Sequence, residues 1–286
     1  MLALFAGRGG LPARVVSGMA SPPLICALES TPPEGVVPDV TFRLETLGSF
    51  LVELATRGVT EICFCGAIDR PDIDPALLDE DTKPLVPILM DALNKGDDGA
   101  LRAVIDLFER TGFSVRGAHE LAPSILMESG IKTTRQMRDV HREDVLAALK
   151  VVDEMGAQDL GQTCVVRKGV VLAREDATGT DAMLARLAIP QDSAGDAPLE
   201  NLLENARRMA PVLHNAPGAG GVMYKAPKPQ QDRRVDLPTI GPDTAIAAAS
   251  AGLDGIVIQA GEVIVLDAER VIDILNEFNL FLWVRP

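Results

Sequence analysis

Short apolar runs alternate with segments of helical spacing through the first 120 or so residues, and this alternation restricts the fold more than any other feature. Residues 2–6 (Leu-Ala-Leu-Phe-Ala), 24–28 and 61–65 each suit a buried strand. Between them Leu47, Phe50, Leu51 and Leu54 recur at helical intervals until Gly58 stops the pattern. Helices are also predicted over 85–94 and 98–110, with a short strand over 113–116. Strand and helix in turn imply a parallel sheet covered by helices on both faces.

The texture changes after residue 124. Residues 128–142 are polar, contain Gly130 and four basic residues, and mark a domain boundary or hinge. Beyond it the spacing predicts an amphipathic helix over 142–155 and a hairpin turning at Arg167-Lys168-Gly169. Helices follow from Asp181, over 199–213, over 243–251 and over 269–278. Strands are expected over 256–259, 263–266 and 280–284, and residues 190–198 form a polar loop. The expected fold is α/β in two domains. Residues 1–130 form a Rossmann-like parallel sheet and residues 140–286 a mixed α/β domain, with a ligand crevice between them. A chain of 286 residues accommodates two domains of roughly 150 each.

Charge narrows the partners. Lys and Arg number 27 against 41 Asp and Glu, a net charge of −14. Such a polyanion repels nucleic acid and anionic lipid, so a phosphate-bearing ligand needs a local exception. The four cysteines, Cys26, Cys63, Cys65 and Cys164, lack the spacing of a zinc site and read as buried thiols suited to a cytoplasm. No secretory signal and no apolar stretch of about 20 residues is visible, so the protein is expected to be soluble or to touch a membrane from outside.

Six stretches could carry chemistry. Gly7-Arg8-Gly9-Gly10 follows the first strand and precedes a helix, where backbone N–H groups and the helix dipole attract phosphate; the bland alternative is a tight turn. Residues 66–71, Gly-Ala-Ile-Asp-Arg-Pro, end another strand and should line the same crevice, or form a loop with a surface ion pair. Lys95-Gly96-Asp97-Asp98 reads mainly as a helix cap. His119 reads as an ordinary hydrogen-bonded loop histidine and Glu120 as a possible ligand contact. In Thr178-Gly179-Thr180-Asp181, Thr180 or Asp181 can cap the next helix or meet a phosphate or hydrated cation. The richest stretch is 225–242: four cations lie within residues 225–234, beside Asp232 and Asp236. Cations and carboxylates without a zinc constellation suit Mg²⁺-assisted phosphoryl chemistry. The alternative is a basic surface loop.

Those residues carry a resemblance. KAPKPQQDRRVDLPTIGPDT (225–244) resembles the signature of the LpxI-type UDP-2,3-diacylglucosamine pyrophosphatases. AGRGGLP (6–12), KGDDGALR (95–102), GAHEL (117–121) and ATGTDAML (177–184) fall in matching order, so the resemblance spans nearly the whole chain. Arg8 and Ala67 depart from the family's turns, which favour Gly and Asn there. The resemblance implies a Mg²⁺-dependent, cytoplasmic, peripherally membrane-associated and dimeric hydrolase of lipid A biosynthesis. It would release UMP and 2,3-diacylglucosamine 1-phosphate by attack of water on the α-phosphorus. Asp236 would hold the metal or orient the water, with Asp181 or Asp232 assisting, and Lys225 would neutralise the leaving phosphate. Gly10, Leu11, Ala67, Ile68, Glu120, Thr178, Gly179, Thr180, Lys228 and Arg233 would contact substrate. Two rivals are a non-catalytic nucleotide-sugar sensor and a hydrolase of a soluble nucleotide sugar.

Overall fold

The computed structural model describes residues 1–68, 73–94, 97–190 and 198–286. Asp69, Arg70, Pro71, Lys95 and Gly96 lie outside them, as does nearly all of the polar loop at 190–198. The chain divides into two compact units. Unit 1 comprises Met1–Ile125 and Asp232–Asp236; unit 2 comprises Leu126–Gln231 and Leu237–Pro286.

Unit 1 runs β1 (Leu2–Ala6), α1 (Leu11–Gly18), β2 (Leu24–Leu28), β3 (Val40–Phe42), α2 (Leu47–Thr56), β4 (Glu61–Cys65), α3 (Val86–Leu93), α4 (Asp97–Arg110), β5 (Ser114–Val115) and α5 (Ala118–Leu121). The strands form one parallel sheet in the order β3-β2-β1-β4-β5. Strand β3 is absent from the sequence expectations, because three half-exposed residues carry no clear alternation. Ala3 and Phe5 face a core shared with Phe50 and Leu54 of α2 and Ile105 and Phe108 of α4. Leu4 and Cys63 point the other way and are fully buried, so both faces of the sheet are covered. Phe5 meets Phe42, Phe50 and Phe108 edge-on, with centroids 5.2–5.8 Å apart. Such pairs add about 0.5–1.5 kcal/mol each beyond their buried area.

Unit 2 runs β6 (Gly130–Ile131), α6 (Asp139–Ala157), β7 (Thr163–Arg167), β8 (Val170–Arg174), α7 (Gly179–Leu187), α8 (Leu199–Met209), β9 (Val222–Lys225), β10 (Thr239–Ile240), α9 (Pro242–Ser250), β11 (Gly255–Gln259), β12 (Ile264–Val265), α10 (Ala268–Glu277) and β13 (Phe281–Arg285). Its main sheet has the order β6-β13-β11-β9-β7-β8. The three inner strands β13, β11 and β9 are parallel, and β6, β7 and β8 are antiparallel additions. The stretch read as a strand over 263–266 supplies β12, which pairs with β10 in a separate two-stranded ribbon, and Ile264 also bridges Leu126.

Strict alternation along these strands sorts the core into two layers. Val165, Met223, Ile256, Ile258, Leu282 and Val284 pack beneath α7, α8, α9 and α10. Cys164, Val166, Val222, Tyr224, Val257 and Phe281 pack against α6. All four cysteines are buried and free, and burial pushes the Cys26 and Cys164 thiols up to about 12. No helix among the described residues is long and apolar enough to cross a membrane.

Candidate active site

Unit 1 offers a ligand its backbone. Residues 7–10 leave β1 and residues 66–68 leave β4, the neighbouring central strands. From β1 the chain moves on to β2 on one side; from β4 it moves on to β5 on the other. Open α/β sheets bind ligands at such a reversal, outside the carboxyl ends of the strands. Two hydrogen bonds lock the loops together: Arg8 N–H donates to the Ala67 carbonyl at 2.8 Å, and Ala67 N–H to the Arg8 carbonyl at 3.0 Å. Only glycine fits at the crossing. A Cβ on Gly7 would stand 2.4 Å from the Ala67 carbonyl oxygen, and one on Gly66 would stand 2.7 Å from the Gly7 carbonyl carbon. Gly9 and Gly10 differ, because nothing lies within 4 Å of a Cβ built on either. Gly10 begins α1 without a side-chain cap, and the first turn, which includes Leu11, holds no acidic residue. The positive end of the helix is therefore open to an anion beside the exposed Ile68.

Glu120 on α5 is ion-paired with Arg116 at 2.5 Å, and that guanidinium holds its carboxyl below the usual range. The neighbouring His119 Nδ1 is buried with no hydrogen-bond partner, contrary to the reading of an ordinary bonded histidine.

The segment 225–244 serves both units, since Asp232–Asp236 belongs to unit 1 while its flanks belong to unit 2. Asp232 accepts from Arg234 at both oxygens, at 3.0 Å from Nε and 2.7 Å from Nη2, and this pairing lowers its pKa. Arg234 also donates to Glu109 of α4 at 2.6 Å, which pins the turn. Asp236 closes that turn through its N–H to the Asp232 carbonyl, and Arg233 is exposed.

Unit 2 offers side chains. Lys225 ends β9 and is buried, 6% exposed. Its ammonium donates to Thr180 Oγ1 at 2.8 Å, and that hydroxyl in turn bonds Glu175 Oε1 at 2.5 Å. Glu175 Oε2 accepts the Gln162 N–H at 2.8 Å. A buried cation is costly unless paired; here a hydroxyl relays it to a buried carboxylate. Thr178 is the N-cap residue of α7 but spends its hydroxyl on Asp176. Gly179 has φ +84° and open space where a Cβ would stand. Lys228 is held by Asp159 at 2.5 Å. The exposed Asp181 lies close enough to Asp243 of α9 to help burial raise the Asp243 pKa.

Family comparison now adds to this geometry. The model of the LpxI N-terminal domain matches residues 1–125, and that of the LpxI C-terminal domain matches residues 128–283. The chain belongs to the LpxI family. A curated relative from Caulobacter vibrioides, "UDP-2,3-diacylglucosamine pyrophosphatase LpxI", is 37% identical over 286 residues, covering 98% of this chain and 95% of the relative.

Within this LpxI chain the structure adds residues that sequence reasoning passed over. Glu175 sits three residues before the Thr178 motif and has no distinguishing spacing in the sequence; it follows β8, whose pairing with β7 brings it to Thr180. Asp243 lies in the first turn of α9, and the fold sets it near Asp181. Among the described residues no group of three His, Cys, Asp or Glu is arranged to hold an ion. Mg²⁺ needs less, typically one or two carboxylates plus ligand phosphate oxygens and water. Asp232 is already held at both oxygens by Arg234.

Proposed function

We propose that this chain hydrolyses the pyrophosphate of UDP-2,3-diacylglucosamine to UMP and 2,3-diacylglucosamine 1-phosphate in lipid A biosynthesis. Family membership supports a pyrophosphate hydrolase of that pathway, and the relative's name supports the substrate. The observation that carries the reading is Lys225, a buried ammonium at the carboxyl end of an inner strand, aimed by Thr180 and backed by Glu175. A cation fixed in advance favours charge that develops on a departing phosphate. The open turn at Gly9 and Gly10 and the first turns of α1 and α7 supply N–H groups to phosphate oxygens. Asp236 orients the water or holds Mg²⁺, with Asp181 assisting. Bound Mg²⁺ supplies neutralisation of phosphate charge. Water enters at the α-phosphorus, in line with the sugar phosphate as leaving group. The enzyme acts in the cytoplasm as a homodimer that visits the inner membrane peripherally.

Hydrolysis in ¹⁸O-labelled water tests this, with acylated and non-acylated UDP-glucosamine derivatives offered side by side. The expected result is label in UMP and turnover of the acylated substrate only. Label in the sugar phosphate would reverse the direction of attack. Equal turnover of the non-acylated compound would favour a soluble nucleotide sugar, and no turnover of either would favour a sensor. Asp236→Asn should fold normally and lose turnover by on the order of 10²–10³.

A further inference from the structure

Two basic stretches that the candidate active site leaves unused meet at the opposite end of the second sheet. Val166 pairs with Val222 and Thr163 with Lys225, so the turn at 167–169 lies where β9 begins, and Lys225 lies where β9 ends. At the beginning of β9 and β11 there is an open cleft of about 600 Å³, lined by Arg138, Arg167, Lys168, Val170, Leu172 and Gly220 among others. Small-molecule sites commonly have about 300–1,000 Å³.

The cations there are held by a buried framework. The carboxylate of Asp254, just before β11, accepts from Arg135 at 2.8 Å, from Arg138 at 2.8 Å and from His141 Nε2 at 2.9 Å. His141 is 1% exposed, and its Nδ1 accepts the Arg138 N–H at 3.1 Å, which leaves the ring proton on Nε2 for Asp254. Arg167 donates to the Ala219 carbonyl at 2.9 Å, and the buried Asp144 accepts the Gly169 N–H at 2.7 Å. The turn carries φ +50° at Lys168 and +73° at Gly169. Among the described residues Lys168 makes no hydrogen bond or ion pair. Three cations, Arg138, Arg167 and Lys168, thus line the cleft with two carboxylates, Asp144 and Asp254, in a chain whose net charge is −14, and Arg135 pairs with Asp254 as well. Helix α6 opens at the same place, with Arg138 as its N-cap residue, Asp139 in its first turn and the His141 ring accepting the Arg138 N–H. Val170, 62% exposed, and Leu172 form an apolar wall beside these charges.

We propose that this cleft is a second anion site, separate from Lys225, that binds a phosphate monoester or diester with an apolar or ring body. The phosphate is placed at Lys168 and Arg138, and the body against Val170 and Leu172. The phosphate could belong to a soluble metabolite or to a lipid headgroup, and the test separates them. Amide resonances of Val140, Lys168, Gly169 and Gly220 should shift on titration with glycerol 3-phosphate. Lys168→Glu and Val170→Glu, both at exposed positions, should weaken the response at least tenfold with unchanged melting temperature and unchanged turnover. Co-sedimentation with phosphatidylcholine vesicles containing phosphatidylglycerol supplies the second arm. Loss of sedimentation in Lys168→Glu assigns the headgroup; a soluble-ligand response with sedimentation unaffected by the variant assigns the metabolite. The proposal is overturned if neither probe moves these amides, or if both variants bind as the parent does.

Discussion

Gly7 and Lys225 occupy comparable places, each at the carboxyl end of an interior strand, yet they contribute opposite things. Around Gly7 the useful groups are main-chain N–H donors, held by a backbone bridge that leaves no space for a Cβ. Around Lys225 the useful group is a side chain, and its neighbours Thr180 and Glu175 are side chains too. Backbone sites tolerate changes of side chain but not of volume: Arg8 and Ala67 both contribute through N–H and carbonyl. Side-chain sites reverse the rule. In the proposed reaction unit 1 would place a phosphate, and unit 2 would respond to charge as it changes.

The strongest attempt to break this contrast is Lys225→Met, which keeps the volume and removes the charge. Turnover should fall by on the order of 10²–10³, with KM changed far less, because the lost contact strengthens only as the leaving phosphate charges. Equal losses in binding and turnover would make Lys225 a mere anchor. Thr180→Val comes next. It breaks the relay between two buried charges, and an unsatisfied buried group costs about 1–3 kcal/mol. The melting temperature should drop together with kcat, and Thr180→Ser should restore most of both.

In unit 1 the contrast is sharpened by a pair of glycines. Gly7→Ala places a methyl 2.4 Å from the Ala67 carbonyl oxygen, so the bridge must open. Overpacking of this kind costs about 1–3 kcal/mol, and KM should rise as the two loops separate. Gly10→Ala enters open space at an ordinary helical φ of −76° and should change KM only a few-fold. A larger effect at Gly10 than at Gly7 would mean that ligand presses on the turn itself.

These two sites were unequally legible in the sequence. Apolar runs bounded by glycine carry the strands of unit 1, and the glycines at residues 7–10 announce a turn through composition alone. The buried partners in unit 2 do not. Glu175 reaches Thr180 only because β8 pairs with β7, and His141 reaches Asp254 across 113 residues. Charge that looks like solvated surface in a linear chain becomes interior when distant segments meet, and no local periodicity records that. Strand β3 escaped for the opposite reason, having too few residues to show any periodicity.

The mildest prediction turns on that long-range pair and separates the units by pH. His141 is buried beneath Phe281, and desolvation holds its pKa below the ordinary 6.5 despite the opposing pull of Asp254. In the unfolded chain the imidazole titrates near that ordinary value. Between the two pKa values the unfolded state binds more protons, so stability rises with pH. It is fully present above 6.5 and is lost progressively as pH falls below 6.5 towards the folded-state pKa. The sole tryptophan, Trp283, lies on β13 and reports on unit 2. Its fluorescence melting temperature should therefore decline between about pH 7 and pH 5.5, a window above the range where the carboxylates titrate. His141→Gln should flatten that decline. A variant with the same slope as the parent would assign the pH dependence to other groups and leave the Asp254 pairing without a role in it.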